Sequence, residues 1–153
     1  MHVVQLDRKT LIGMSTRTTN QNEMNPETAK IGALWQSFDK DVSVDYKNGE
    51  RVYGVYTNYA SDMNGEFTVF AAYDGKVSDN NKLKEVTIEA GKYLCFEAIA
   101  QTEDDAGRVQ AIIKTWGRVW QYFSDKPEYQ RAYTTDFEFY NGPAKIEIYI
   151  AIK

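Results

Sequence analysis

The sequence predicts an α+β fold built from two copies of a strand–helix–strand–strand unit related by pseudo-twofold symmetry. Residues 32–38 match residues 117–123 at four of seven positions, at an offset of 85 residues. The same offset aligns a predicted strand at 11–17 with another at 96–102. Because the predicted elements also follow the same order in both halves, we expect antiparallel sheets and two long helices.

In the first half, residues 11–17 are apolar and β-prone, which predicts a strand. Asn25 suits a helix N-cap and Pro26 suits the first helical position, so a helix is predicted to begin there. Its apolar face repeats at helical spacing through Ile31, Leu34, Trp35 and Phe38. Turns rich in Asn, Asp and Gly then separate two further predicted strands, residues 51–56 and 66–73.

The second half repeats this order. Residues 92–101 are predicted to form a strand, and the acids at 103–105 favour a helix N-terminus immediately after it. The helix then shows apolar residues at helical spacing: Val109, Ile112, Ile113, Trp116, Val119, Trp120 and Phe123. Residues 135–140 and 145–152 are predicted to form a hairpin around a turn at 141–143.

We expect the whole chain, residues 1–153, to be a single domain of 17.6 kDa. Its repeat halves cover approximately residues 1–75 and 83–153, and a polar linker rich in Asn, Asp and Ser is predicted at 75–83. Neither half is expected to bury a core alone, so the two should fold together.

Several classes of function are excluded by what the composition lacks. One cysteine, Cys95, and one histidine, His2, argue against disulfides, Ser-His-Asp catalysis and Cys- or His-based zinc sites. A net charge of −4 argues against direct nucleic-acid binding. With no glycine-rich phosphate loop we expect no cofactor, and with no apolar span or signal peptide we expect a cytoplasmic protein without a membrane partner. His2 is expected to lie in a frayed terminus, and Cys95 to pack as a small apolar residue.

Aromatic residues are the unusual feature, since they make up 14% of the chain and eleven of them are tyrosines. A surplus of tyrosine suits a pocket, because the ring is apolar and its tip is polar. It equally suits a β-rich core, because tyrosine favours strands. Trp35 and Trp120 are predicted to anchor the core, whereas Trp116 could reach a pocket.

Strand alternation separates two faces of the predicted C-terminal hairpin. Phe137 and Phe139 share a face that we expect to pack on the helices together with the isoleucines of the last strand. The opposite face would carry Glu138, Tyr140, Glu147 and Tyr149. This face could be solvated, or it could line a cleft. In a cleft, a carboxylate among tyrosines would favour an organic cation, and desolvation would raise its pKa.

Two details of this hairpin stay open in the sequence. A turn at Asn141-Gly142 would place Glu138 opposite Lys145, and a turn one residue later would place it opposite Glu147. The first half supplies candidates for an opposing wall of the cleft. They are the clustered tyrosines Tyr53, Tyr56 and Tyr59, of which Tyr53 aligns with Glu138 at the 85-residue offset.

These motifs together resemble the GyrI-like domain, also called the AraC-type or bacterial transcription activator effector-binding domain. The similar segments run in order along the chain: 34–38, 53–56 with Tyr59, 90–93, 136–140 and 147–150. The resemblance implies a central ligand cleft with Glu138 at its base. Relatives often carry an N-terminal helix-turn-helix domain, whereas this sequence begins almost directly at the first family strand, so we expect a stand-alone bacterial member. Ala151 stands where the family usually has proline.

The residue patterns and the resemblance together leave three alternative functions. The first is binding of a small hydrophobic or cationic ligand by Glu138, Tyr53, Tyr56, Tyr140, Tyr149 and Trp116. The second is hydrolysis of reactive small molecules, with Glu138 as general acid or base. The third is a gyrase-inhibitor-like interaction with a protein partner through acidic loops such as 103–105.

Overall fold

The computed structural model describes residues 1–75, 82–142 and 145–153. These residues form strands and helices in the order β1 (His2–Leu6), β2 (Lys9–Thr18), α1 (Asn20–Glu23), α2 (Ile31–Asp41), β3 (Val52–Thr57), β4 (Phe67–Tyr73), β5 (Lys84–Ile88), β6 (Gly91–Ile99), α3 (Asp105–Ser124), β7 (Thr135–Tyr140) and β8 (Lys145–Ala151). A short 3₁₀ turn, Tyr46–Asn48, follows α2. Most of the predicted linker, and Pro143 in the predicted hairpin turn, lie outside the described residues.

The described strands form one antiparallel sheet in the order β1-β6-β8-β7-β3-β4-β2-β5, which curls into a half-barrel. Each half contributes a strand–helix–strand–strand unit, β2-α2-β3-β4 and β6-α3-β7-β8. Their last two strands pair as hairpins, and β3 and β7 join the halves at the centre of the sheet. The predicted α+β fold with a duplicated unit is therefore confirmed.

Two edge strands were not predicted, and they exchange between the halves. β1 precedes the first unit but pairs with β6 of the second, whereas β5 precedes the second unit but pairs with β2 of the first. His2 was expected to be frayed, but it pairs with Cys95. The repeated unit is thus one strand longer than predicted, and each half completes the other half's sheet.

The predicted start of the first long helix at Asn25 and Pro26 is wrong. The Asn25 side chain accepts a backbone N–H two residues later, at 3.0 Å, and closes a local turn. α2 begins only at Ile31, and its first N–H groups are satisfied by the carboxylate of Glu23. That carboxylate accepts the backbone N–H of Lys30 at 3.0 Å and of Ile31 at 3.1 Å. The cap therefore comes from the preceding helix rather than from the adjacent residue.

The second long helix begins where the acids predicted it. Asp104 is the N-cap of α3, and its Oδ1 accepts the backbone N–H of Gly107 at 2.9 Å. Hydrogen bonds from the Thr102 hydroxyl and from Gly107 lower the pKa of Asp104. Within the described ranges, no helix combines the length and hydropathy needed to cross a lipid bilayer.

Both faces of the sheet are largely buried. α2 covers the first half through Leu34 and Phe38, and α3 covers the second half through Val119, which packs on the isoleucines of β8. The other face buries a separate cluster that includes Tyr53 and Phe137.

The predicted faces of β7 and β8 are half right. The isoleucines of β8 do face the helices, but Phe137 points to the opposite side of the sheet and stacks on Tyr149, with ring centroids 4.6 Å apart. The register explains this, because Glu138 lies opposite Ile148. Both predicted registers, with Lys145 or Glu147 opposite Glu138, are wrong. Directly opposite residues of paired strands lie on the same face of the sheet, so a change of one residue in register moves each side chain of a strand to the other face. Opposite Ile148, Glu138 therefore lies on the helix side.

Candidate functional site

A cavity of about 510 Å³ lies on the helix side of the sheet, between α3, the central strands and the segments around α1 and Met63. Its aromatic lining consists of Tyr56, Tyr59, Phe67, Trp116 and Trp120. Its aliphatic and thioether lining consists of Met24, Ile31, Met63, Ile112 and Ile113. Its polar lining consists of Asn20, Glu23, Arg131 and Glu138. A large apolar cavity with few polar groups is typical of a small-molecule site.

Glu138 in β7 lies in the wall of this cavity and is only 2% exposed. Its Oε2 accepts hydrogen bonds from Trp116 Nε1 at 2.7 Å and from the Tyr56 hydroxyl at 2.9 Å. Its Oε1 accepts one from the Tyr140 hydroxyl at 2.7 Å. The three donors come from α3, β3 and β7, so the carboxylate depends on the assembly of both halves.

All three donors to Glu138 are neutral. Burial, and to a lesser extent the neighbouring carboxylate, raise the pKa of the Tyr56 and Tyr140 phenols well above their ordinary value. Burial also raises the pKa of Glu138, although the hydrogen bonds from Trp116, Tyr140 and Tyr56 oppose this shift. Among the described residues no basic side chain forms an ion pair with Glu138. The carboxylate is thus hydrogen-bonded but has no counter-cation within the described part of the chain.

Gly54 in β3 makes the space for this carboxylate. Gly54 and Glu138 are partners in the β3–β7 register. A Cβ atom at Gly54 would lie 2.6 Å from Glu138 Oε1, closer than side chains tolerate, and 3.3 Å from the Trp35 ring. The sequence analysis missed this residue, because a lone glycine inside a strand becomes informative only once its cross-strand neighbour is known.

A second buried acid lies two residues before Glu138 on the same face of β7. Asp136 is fully buried, and its Oδ2 accepts from Arg131 Nη2 and from the Tyr59 hydroxyl, each at 2.6 Å. Its Oδ1 accepts the backbone N–H of Ala151 at 2.8 Å. The Arg131 guanidinium lies over the Tyr133 ring, 4.4 Å from its centroid. Arg131 was also missed, since it lies in an irregular segment with no motif around it.

The structure brings together four of the six predicted site residues. Tyr56, Trp116 and Glu138 line the cavity. Tyr140 is outside this lining and donates a hydrogen bond to Glu138 Oε1. Their role in ligand binding stays a prediction.

Two predicted site residues lie elsewhere. Tyr53 and Tyr149 are on the opposite face of the sheet, in the cluster around Phe137, so their predicted place in the same cleft is wrong. The prediction for Trp120 as a core anchor is also wrong, since it lines the cavity and is 40% exposed. Trp35, a residue of α2, is partly buried and packs against the core cluster as predicted.

Over residues 1–75, 82–142 and 145–153, no cluster of three or more His, Cys, Asp or Glu side chains could hold a metal ion. Cys95 is buried, and burial raises the pKa of its thiol to about 11, which disfavours a reactive thiolate. The polar groups that line the cavity are carboxylates, phenols, indoles, one amide and one guanidinium.

Residues 2–152 match the family described as Cass2, integron-associated effector binding protein. The chain belongs to this Cass2 family. Its resemblance to GyrI-like effector-binding domains, predicted from the sequence, is thereby confirmed. Cass2 proteins are related to the effector-binding domains of transcription regulators, so the cavity belongs to a chain of effector-binding type.

Relatives match this Cass2 member along its whole length. It is 36% identical to the integron cassette protein VCH_CASS2 from the mobile metagenome of Vibrio cholerae, with a TM-score of 0.85 and coverage of 99% and 95% of the two chains. It is 30% identical over 167 residues to YobU of Bacillus subtilis (strain 168), named as a candidate transcriptional regulator, with coverage of 99% and 97%. SAV2435, solved bound to tetraphenylphosphonium, shares the fold at 18% identity, a TM-score of 0.69 and coverage of 99% and 93%.

Proposed function

We propose that residues 1–153 form one effector-binding domain that captures small hydrophobic cations in the cavity, with Glu138 as their counter-charge. The observation that carries this proposal is the buried carboxylate, held by three neutral donors and facing an aromatic cavity, with no counter-cation among the described residues. A buried charge is costly unless it is paired, and a cationic ligand supplies the missing partner.

The lining supports the same class of ligand. Tyr56, Trp116 and Trp120 line the same cavity as Glu138, and a cation over such a ring gains about 1 kcal/mol from each contact. A ligand with aromatic arms would also bury apolar surface against Ile112 and Phe67. Tetraphenylphosphonium, the ligand of a protein with the same fold, is a cation of this kind.

The test compares two ions of nearly equal shape and opposite charge, tetraphenylphosphonium and tetraphenylborate. We expect the wild type to prefer the cation, and Glu138→Gln to weaken binding of the cation by about tenfold or more, because the amide keeps the shape and loses the charge. Calorimetric titration measures both affinities.

A matched control removes another carboxylate of the same hairpin, in β8. Glu147 faces away from the cavity, on the same side as Tyr149, and Glu147→Gln should leave both affinities unchanged. Equal binding of the cation by wild type and Glu138→Gln would remove Glu138 as the counter-charge.

One observation favours a second candidate, hydrolysis of reactive small molecules. A raised pKa suits Glu138 to act as a general acid or base, and the cavity is large enough for a substrate. In that case wild type turns over an electrophilic ester, and Glu138→Gln abolishes turnover while a tetraphenylphosphonium competitor still binds. A wild type that binds the cation and turns over no ester in a panel favours capture alone.

A further inference from the structure

Arg131 is the basic residue that lines the cavity, and it is buried to nine-tenths, with 9% of its surface exposed. Its Nη2 is engaged by Asp136 Oδ2 at 2.6 Å, with the Tyr59 hydroxyl at 3.5 Å. Its Nε carries a donor hydrogen that is buried and has no hydrogen-bond partner among the described residues. An unpaired buried donor is costly, and an acceptor brought by a ligand would remove this cost.

Asp136 holds this guanidinium in place. The Asp136 carboxylate is itself fixed by the Tyr59 hydroxyl and by the backbone N–H of Ala151. The guanidinium also lies over the Tyr133 ring. Because an arginine fork presents its donors in one rigid plane, fixing Nη2 also fixes the direction of Nε–H. The direction of the Nε–H is therefore fixed before any ligand arrives, which favours specific recognition. Because the Nε atom itself is buried, a ligand acceptor reaches this hydrogen by displacing a neighbouring side chain.

The positions of the two acids relate this donor to Glu138. Asp136 and Glu138 are two residues apart on the same face of β7, so their Cα atoms are about 7 Å apart along the strand. Of the residues that the structure describes, Glu138 accepts hydrogen bonds only from neutral groups, and Arg131 is bound to Asp136. The cavity lining thus includes a negative group, Glu138, and a positive group, Arg131.

We propose that the ligand pairs a cationic centre with a hydrogen-bond acceptor, a carbonyl, ether or carboxylate oxygen, so that the cation faces Glu138 and the acceptor takes the Nε–H of Arg131. This inference rests on the proposed function and narrows its ligand class from hydrophobic cations to hydrophobic cations that bear an acceptor. Glu138 supplies attraction to charge, and Arg131 selects among cations.

The test uses phosphonium probes that differ in one ring substituent. Triphenylphosphonium salts with a fourth ring carrying a carboxamide, at the meta or para position, are compared with analogues carrying an isopropyl group of similar size. We expect wild type to bind one carboxamide isomer about tenfold more tightly than its isopropyl analogue. Arg131→Lys keeps a cation for Asp136 and removes Nε–H, so this preference should disappear while the isopropyl analogue still binds.

A measurement on the unmodified protein covers the case in which Arg131→Lys does not fold. The Nε–H resonance of Arg131, assigned through its backbone connections, should shift when the preferred carboxamide probe binds and should stay unchanged with the isopropyl analogue. If both carboxamide isomers bind no better than their analogues and the resonance does not move, the inference is overturned.

The two proposals fail separately. Glu138→Gln should lower the affinity for the carboxamide and the isopropyl probes by the same factor. This result supports Glu138 as the counter-charge, whatever the role of Arg131. If Glu138→Gln binds every probe as wild type does, the proposed function is lost. A shift of the Arg131 resonance would then show only that the Nε–H of Arg131 donates to the probe's carboxamide.

Discussion

At the scale of single residues, the cavity wall contains a buried carboxylate, that of Glu138, whose hydrogen-bond partners among the described residues are all neutral. Tyr56, Tyr140 and Trp116 satisfy the oxygens of Glu138 without compensating its charge. Such donors favour the ionised form, whereas burial favours the protonated form, and the raised pKa of Glu138 shows that burial prevails. The charge of this site therefore depends on pH.

Affinity for tetraphenylphosphonium should rise as the pH increases through the pKa of Glu138, which lies above its ordinary value of 4.5. The cation requires the carboxylate, and at lower pH the group is a neutral acid. Titrations across this range should give a rising curve for wild type and a flat one for Glu138→Gln. Affinity of wild type that does not change with pH would contradict this.

The same shift has the opposite effect on stability. An acid whose folded pKa is raised holds its proton more tightly in the native state than in the unfolded chain. The contribution of Glu138 to the free energy of unfolding therefore falls as the pH rises from the ordinary pKa through the raised one. Urea unfolding of wild type minus that of Glu138→Gln should show this fall.

Gly54→Ala should displace the Glu138 carboxylate, because the new Cβ would lie 2.6 Å from Glu138 Oε1. We expect a loss of about 1–3 kcal/mol in the free energy of unfolding and weaker binding of tetraphenylphosphonium. Gly117→Ala in α3 is the matched control, since nothing lies within 4 Å of its new Cβ, and it should stabilise by about 0.5–1 kcal/mol. Unchanged binding by Gly54→Ala would show that the carboxylate tolerates displacement.

At the scale of elements, the start of α2 and the edge of the cavity depend on the same residue. Glu23 lines the cavity and accepts the N–H groups of Lys30 and Ile31. The Thr18 hydroxyl also donates to it at 2.6 Å. The loop between α1 and α2 is thereby closed at its base, and Met24, at the cavity edge, lies within it.

Glu23→Ala should cost about 1–2 kcal/mol in the free energy of unfolding, because it leaves the first N–H groups of α2 without a cap. Thermal or urea unfolding measures this loss. Glu27→Ala, in the same loop and exposed, serves as the control and should change stability by less than about 0.5 kcal/mol. Equal effects of the two substitutions would show that the cap contributes little.

The long helices were predictable because their apolar spacing is a local property. Leu34 and Phe38, and later Val119, lie buried as the helical period indicates. The beginning of α2 was not predictable from Asn25, because the cap is Glu23, which precedes Ile31 by eight residues and meets it only after the chain turns. Capping by a distant side chain leaves no local motif to recognise.

At the scale of the whole molecule, the exchange of β1 and β5 ties the two halves together. Each unit is bordered by the other half's leading strand, and Glu138 takes its donors from both halves. Neither half contains a complete sheet or a complete site. The cavity is thus a property of the assembled repeats.

Separate fragments, residues 1–75 and 82–153, should each be largely unfolded, because each loses its edge strand and the central β3–β7 pairing. Mixed in equal amounts, they should regain strand and helix content and bind tetraphenylphosphonium. Circular dichroism and titration measure these properties. A fragment that folds alone with a cooperative transition would contradict the need for exchange.

The α+β class and the duplication followed from local patterns, because periodicity, repeats and composition are carried by short stretches of chain. Glu138 became the leading candidate through the resemblance to GyrI-like domains, and its role in binding stays a prediction. The faces of β7 did not follow. A register that pairs Glu138 with Ile148 moved it to the helix side, and it moved Tyr53 and Tyr149 away from it. Register and strand exchange depend on contacts between residues far apart in the chain, so only the folded structure could select Gly54 and Arg131 as neighbours of the site.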